Sequence, residues 1–296
     1  VSDIGEIDES KLDLMSKPDT ARGKLQRICL ELLRDHRKQG DDGLPTNNRF
    51  LAYELIQRGI IKKSNEKGKR RGDQNMHEAL THLRQVGIVP WPWLEDESRT
   101  AIFNPSWDSL TEWATTMVRH VRLNPWDGRP PKVLTESRAV AGVLRNLAKQ
   151  YRVDVFPSGG QCGGHLHTDI APELEPDDRV FYIGDWDLCG HLIENNTRAV
   201  LERLIGGELD WTRIALTETQ VDRYKLRKWV IWKTDRRYND GHRHQAVECE
   251  ALKQHVIVAI VRDQLNALLP EPLEDVLERE ARQRRRIAAK LNGSRS

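Results

Sequence analysis

Three carboxylates stand where a hard cation could be held. Glu136 closes the apolar run Lys132-Val133-Leu134-Thr135, and Asp185 and Asp187 follow a second run, Val180-Phe181-Tyr182-Ile183-Gly184. Each run is short, rich in β-branched or other apolar residues and followed by helical periodicity, as buried parallel strands are. Ligands of an open α/β sheet gather beyond the carboxyl ends of its strands, so the three acids are expected to converge there. Extended alternation would put Asp185 and Asp187 on one face with Trp186 opposite, so that both could share a magnesium ion. That geometry suits phosphoryl transfer. A bare Asp-x-Asp at a strand end is otherwise a solvated tripeptide. Here Gly184 and Gly190 flank the pair, and the tight turn Ser158-Gly159-Gly160-Gln161 sits between the two acidic strands.

The elements that must position these acids can be read in chain order. Residues 1–20 are polar and acidic without clear periodicity, which suggests a mobile arm. From Ala21 to His36, Leu25, Ile28, Leu32 and Leu33 form one helical stripe that Gly40-Asp41-Asp42-Gly43 stops. A second helix follows Pro45-Thr46 and carries Phe50, Leu51, Leu55 and Ile56. Asp73 can cap a third, with Met76, Leu80 and Leu83 inward. Two extended pieces, Ile88–Trp93 and Thr100–Phe103, flank a polar turn, and three helices with a hairpin predict a winged helix over 21–123. A helix around Trp107–Val118 leads into the Pro/Gly-rich linker 124–131, and 132–296 forms the α/β domain with its C-terminal helices. In that part Val256, Ile257, Ala259, Ile260 and Leu265 predict a helix on the sheet, and Leu273–Leu291 a charged final helix.

The order of Glu strand, helix, strand, glycine turn, Asp-x-Asp strand and helix resembles the Toprim domain, the metal-binding fold of topoisomerases, primases and some nucleases. The version it resembles is that of topoisomerase VI A subunits. The resemblance spans roughly Lys132 to Leu268 and rests on Thr135-Glu136-Ser137, Gly160-Gln161 and Gly184-Asp185-Trp186-Asp187-Leu188-Cys189-Gly190, with a weaker echo at Ala215–Tyr224 and Glu248–Leu252. It implies an N-terminal winged helix followed by a Rossmann-like, mostly parallel sheet, with Glu136, Asp185 and Asp187 holding Mg2+ and Mn2+ as a substitute. In that family and the related meiotic double-strand-break transesterases, an arginine four residues before a tyrosine carries covalent chemistry. Arg49 and Tyr53 have that spacing, and positions four apart share a helix face. Arg49 would hold the scissile phosphate while Tyr53 attacks it, with Glu136 as a general base or acid. The family often has two adjacent aromatics here, whereas Ala52 precedes Tyr53. The resemblance further implies a homodimer in which the tyrosine of one protomer meets the metal of the other, and a separate ATPase or regulatory subunit for strand passage. Nuclease relatives that use metal-activated water supply the alternative, and a catalytically silent DNA-binding protein the second.

The formal net charge of +2 is too small to identify a partner, so local clusters matter more. Lys67, Lys69, Arg70 and Arg71 in a loop, and Arg282 to Arg286 in the last helix, could neutralise phosphates of double-stranded DNA. Cys29, Cys162, Cys189 and Cys249 show neither disulfide nor zinc spacing, and no apolar stretch approaches a membrane span. A cytoplasmic protein is expected, nucleoid-associated if prokaryotic. Of the remaining groups, His165-Leu166-His167 lacks a third ligand, and Trp91, Trp93 and Trp126 are expected to pack more than to stack on bases. Glu248 and Glu250 would lie on one side of an extended segment, where one could join the metal shell.

Overall fold

The computed structural model describes residues 4–62, 72–95, 104–159, 163–231 and 244–293. The first helix, α1 (Ala21–Lys38), starts where the Thr20 hydroxyl accepts from Gly23 N at 3.0 Å. Leu32 and Leu33 are buried as expected, but Leu25 and Ile28 lie at the margin while Cys29 and Leu30 fill the core. One position around a helix is a rotation of about 100°, enough to turn the stripe.

The strand β1 (Thr46–Asn47) runs directly into α2 (Asn48–Gln57). Asn47 caps α2 by accepting from Arg49 N at 3.0 Å and Phe50 N at 3.1 Å, and its side-chain amide donates to Ala139 O at 3.1 Å. Phe50, Leu51, Leu55 and Ile56 are buried, as their spacing predicts. The helix α3 (Gly72–Gln85) buries Met76, Leu80 and Leu83, though Asp73 is its second residue rather than a cap outside it.

Beyond α3 the expected wing strand is absent among the described residues. Residues 91–93 form a 3-10 turn, and β2 (Leu94–Glu95) pairs in parallel with β1 instead of returning as a hairpin. Pro90 and Pro92 have no amide to give a ladder, while Trp93 is fully buried with its indole N–H donating to Ile4 O at 3.1 Å. The second wing segment, 100–103, lies outside the described residues. Residues 4–20, read as a mobile arm, are packed here. Ile4, Ile7, Leu12 and Met15 lie against the helical core, and the acids pair with α1, as in Arg34–Glu9 at 2.6 Å. The acidic composition serves specific ion pairs rather than solvation alone.

The helix α4 (Leu110–His120) lies against the end of the chain. In the 124–131 segment Trp126 is buried and donates to Tyr151 O at 2.7 Å. A four-stranded parallel sheet follows, built from β3 (Lys132–Thr135), β4 (Val155–Pro157), β5 (Arg179–Ile183) and β6 (Asp210–Ala215) in the spatial order β4-β3-β5-β6. The helices α5 (Arg138–Val143) and α6 (Arg145–Tyr151) connect β3 to β4. The single turn α7 (Gly163–His165) and a π turn at 166–170 precede β5, and α8 (Leu188–Ile205) leads from β5 to β6. After β6 come α9 (Glu218–Arg223), the antiparallel pair β7 (Trp229–Ile231) and β8 (His244–Ala246), α10 (Gln254–Asn266) and α11 (Leu273–Gly293).

Alternation sends Val133, Phe181 and Ile183 to one face and Leu134, Val180 and Tyr182 to the other, and each face is buried in its own cluster. Covered on both faces, the strands read as apolar runs. In α10, Ile257 and Leu265 are buried as expected, with Val258 and Val261 in place of the half-buried Val256, Ala259 and Ile260. The chain is thus a mixed α/β protein on a parallel sheet. Among the described residues no helix is long and apolar enough to cross a membrane.

The two parts of the chain are firmly joined. Phe50 of α2 lies in the sheet's own cluster, Gln254 donates to Pro45 O at 3.0 Å, and Arg262 forms a two-pronged pair with Asp42. Asn47 serves both sides of this joint. Asn47→Ala is expected to lower the unfolding free energy by about 2 kcal/mol, combining a lost cap with a lost buried hydrogen bond to Ala139 O. Asn47→Ser, which keeps a capping oxygen, should recover about half of that; urea denaturation of both variants checks it.

Candidate active site

Glu136 is the first residue past β3, and its amide donates to Ile183 O at 2.8 Å, fixing the end of β3 against the end of β5. Its Oε2 accepts from Asp185 N at 3.1 Å. After β5 the chain turns for four residues before α8 begins. Gly184 lies so close to the buried Tyr182 that an added Cβ would stand 2.6 Å from the ring. Asp185 Oδ1 accepts from Cys249 N at 2.9 Å, and Trp186 exchanges two backbone hydrogen bonds with Val247. Asp187 caps α8, its Oδ1 accepting from Gly190 N at 2.6 Å. A Cβ on Gly190 would collide with the carbonyl of Asp185.

The Asp185–Asp187 pair falls just past β5, on either side of the Trp186–Val247 bridge, where Asp187 is still extended. Both lie past the strand, in the turn that starts a helix, and each carboxylate accepts from a different backbone amide. The register irregularity between β5 and β6 at Tyr182/Ile183 marks where regular strand geometry ends.

Glu250 enters the same place from the far end of the chain. It lies in a 3-10 turn, Cys249–Ala251, rather than an extended segment, and it is 0% exposed. Its Oε1 pairs with Arg49 Nε at 2.7 Å and also accepts from the Ser137 hydroxyl. Among the described residues its Oε2 has no hydrogen-bond partner. Arg49 and Tyr53 do share a face of α2, with the guanidinium carbon 5.7 Å from the centroid of the half-buried ring. The structure thus brings Glu136, Asp185, Glu250, Arg49 and Tyr53 into one electrostatic neighbourhood.

Charge crowding shows in the proton affinities. Burial, with Glu136 and Glu250 nearby, pushes the Asp185 carboxyl up to about 8. Glu136 is likewise raised, first by burial and then by Asp187 and Glu250, against the Asp185 amide it accepts from. Burial raises the Tyr53 phenol, with Glu250 and Asp185 adding to the effect and Arg49 opposing it. Burial works to lower Arg49, but Glu250, Asp185 and Glu136 outweigh it and hold the guanidinium charged.

As they stand, no three histidine, cysteine, aspartate or glutamate side chains among the described residues form a set that could hold a metal ion. Like charges repel, and Glu136, Asp185 and Asp187 have each turned one oxygen to an amide. The donor chemistry nevertheless fits a hard cation: the donors are all carboxylate oxygens, two of the acids hold their protons tightly, and one fully buried oxygen is left unpartnered.

Sequence reasoning missed Arg213 of β6, which bonds Glu194 and the carbonyls of Gly184 and Asp185 and so braces the acidic turn. No local signal marks it, since its partners lie 19 to 29 residues away. Lys67, Lys69, Arg70 and Arg71 lie outside the described residues. His165 pairs with Asp169 at 2.9 Å, and exposed His167 joins no ligand set. In α11 Arg284 is held by Glu280 and the Val121 carbonyl. Beside the site, Arg138, Arg145 and Lys149 line a cleft of about 400 Å³ along α5, α6 and the edge strand β4. Comparison with family models, curated proteins and solved structures finds no match.

A carboxyl whose folded-state proton affinity is raised stabilises the fold below its unfolded value of 3.8, and that contribution is lost as pH rises toward 8. Metal-free Asp185→Asn is therefore expected to be more stable than wild type at pH 8, with the gap closing by about pH 4. Urea denaturation in the presence of a chelator at both pH values measures it.

Proposed function

We propose that this chain is a magnesium-dependent DNA-cleaving protein of topoisomerase VI A-subunit type, a winged helix followed by a Toprim domain, which breaks duplex DNA by tyrosine transesterification. The observation that carries the reading is the 2.7 Å pair between Arg49 and Glu250, which brings the helix of Arg49 and Tyr53 against the strand-end acids. Glu136, Asp185 and Asp187 are the acids that hold the metal. When bound, the metal neutralises charge developing on the leaving 3′-oxygen.

Every other role falls to the chain itself. Arg49 stays charged beside the acids with half of its side chain exposed, which suits it to orient a phosphate. The Tyr53 oxygen forms a bond to phosphorus as the bond from phosphorus to the 3′-oxygen breaks, leaving a 5′-phosphotyrosine and a free 3′-hydroxyl. The phenol must lose a proton that burial makes it hold tightly, and Glu136, itself raised, is the base that takes it. The proton then passes to the 3′-oxygen. Phosphotyrosine conserves the phosphodiester bond energy, so the break is reversible.

The pair between Arg49 and Glu250 lies within one chain, which supports a site completed in cis rather than across a dimer. A homodimer then places two complete sites on opposite strands for a staggered double-strand break. Strand passage would require a separate ATPase subunit. Lys67, Lys69, Arg70 and Arg71 contact the duplex backbone, and the cleft lined by Arg138, Arg145 and Lys149 offers it further cations. A cytoplasmic, nucleoid-associated location follows from this activity.

A second reading, hydrolysis by activated water, is favoured by the raised proton affinity of Tyr53 itself. End-labelled duplex DNA incubated with Mg2+ or Mn2+ and stopped with detergent separates the two. A 5′-linked protein adduct lost in both Tyr53→Phe and Asp185→Ala is the expected outcome. Free ends that survive Tyr53→Phe but vanish in Asp185→Ala would identify a nuclease, and binding without cleavage a silent DNA-binding protein. The paired variant Arg138→Glu/Lys149→Glu is expected to weaken duplex binding on the order of tenfold and to flatten its salt dependence by about two phosphates. Anisotropy titrations at several salt concentrations measure it.

A further inference from the structure

The acidic site holds a fourth carboxylate whose chemistry is only half used. Glu250 gives one oxygen to Arg49 and Ser137, and its other oxygen is buried without a partner among the described residues. A buried carboxylate oxygen left unpaired is costly, which calls for a ligand.

Backbone geometry places Glu250 beside the acids. Segments 185–187 and 247–250 are tied by the Trp186–Val247 bonds of 2.9 and 3.0 Å and by Cys249 N to Asp185 Oδ1 at 2.9 Å. From the other side Ser137, the residue after Glu136, donates to Glu250. Glu250 is thus flanked by Glu136 and Asp185. Asp187 also crowds Glu136 and, like Glu136 and Asp185, gives one oxygen to a backbone amide, here at the start of α8.

We propose that Glu250 is a further direct ligand of the divalent cation through its unpartnered oxygen, beside Glu136, Asp185 and Asp187. The proposal rests on the reading of these acids as a metal centre. One carboxylate then touches the cation through one oxygen and Arg49 through the other, fixing the phosphate-binding guanidinium at a set distance from the metal. Glu136 and Asp185 each accept from an amide and keep a second oxygen for the cation.

Calorimetric titration of the full chain with Mn2+ tests it without reference to cleavage. Asp185→Asn is expected to abolish binding, and Glu250→Gln to weaken it at least about tenfold. Asp187→Asn, which keeps a capping oxygen but loses the charge, should weaken it at least about tenfold as well. Arg49→Gln should tighten binding at least about twofold, because it removes a cation that competes for Glu250. Where Glu250→Gln fails to fold, Glu250→Asp is used, which keeps the charge but withdraws it, with a loss of at least about threefold expected. Glu250→Gln binding like wild type, or a loss in Arg49→Gln, would overturn the proposal while leaving the metal centre standing. A wild-type chain that binds no Mn2+, or an Asp185→Asn variant that binds it unchanged, would overturn the metal centre as well.

Discussion

Negative charge confined beside buried strand ends is the constraint around which this molecule is arranged. Glu136, Asp185 and Glu250 come from segments more than a hundred residues apart in their extremes, and they meet where water is scarce. Burial first, and their mutual repulsion second, raise the proton affinities of Glu136 and Asp185. Arg49 supplies one positive charge from the helical half, and Arg213 lends another from β6 while holding the turn by its carbonyls. The long-range contacts of the chain, from the Phe50 plug to the Asp42–Arg262 pair, keep α2 where that charge is required.

The same constraint explains why the two halves do not behave as beads on a string. The Pro/Gly-rich stretch 124–131 has the composition of a linker, but Trp126 anchors it beneath the sheet through the carbonyl of Tyr151. Glu280 of the last helix reaches back to Leu123 N at 2.8 Å and to Arg152 at 2.8 Å. A short parallel bridge, Thr46–Asn47 on Leu94–Glu95, then sets α2 against the first crossover helix.

Much of the sheet was legible in the sequence because its signals are local. Apolar runs of strand length, each ending in an acid or glycine and followed by a helical stripe, marked β3 and β5 and placed Glu136 and Asp185 at their ends. Helix stripes such as Met76, Leu80 and Leu83 were legible for the same reason. Other features depended on partners far away. The capping role of Asp187 and the turn at Glu250 could not be told from extended alternation without knowing where α8 and Val247 lie. Pro90 and Pro92 signalled that the wing strand would fail, yet the pull of Trp93 into the helical core is a tertiary effect. The acids of residues 4–20 read as solvated until α1 supplied their arginines.

The glycines at 184 and 190 bear on how this segment can vary. One faces the ring of Tyr182 and the other the carbonyl of Asp185, and neither neighbour can retreat without unpacking the sheet or moving the acid itself. In the run from Gly184 to Gly190, mutational freedom is therefore confined to the outward positions, above all Leu188, which is exposed. A library randomised across these seven positions should return little variety at 184, 185, 187 and 190 and the most at 188, a pattern set by backbone clearance as much as by chemistry.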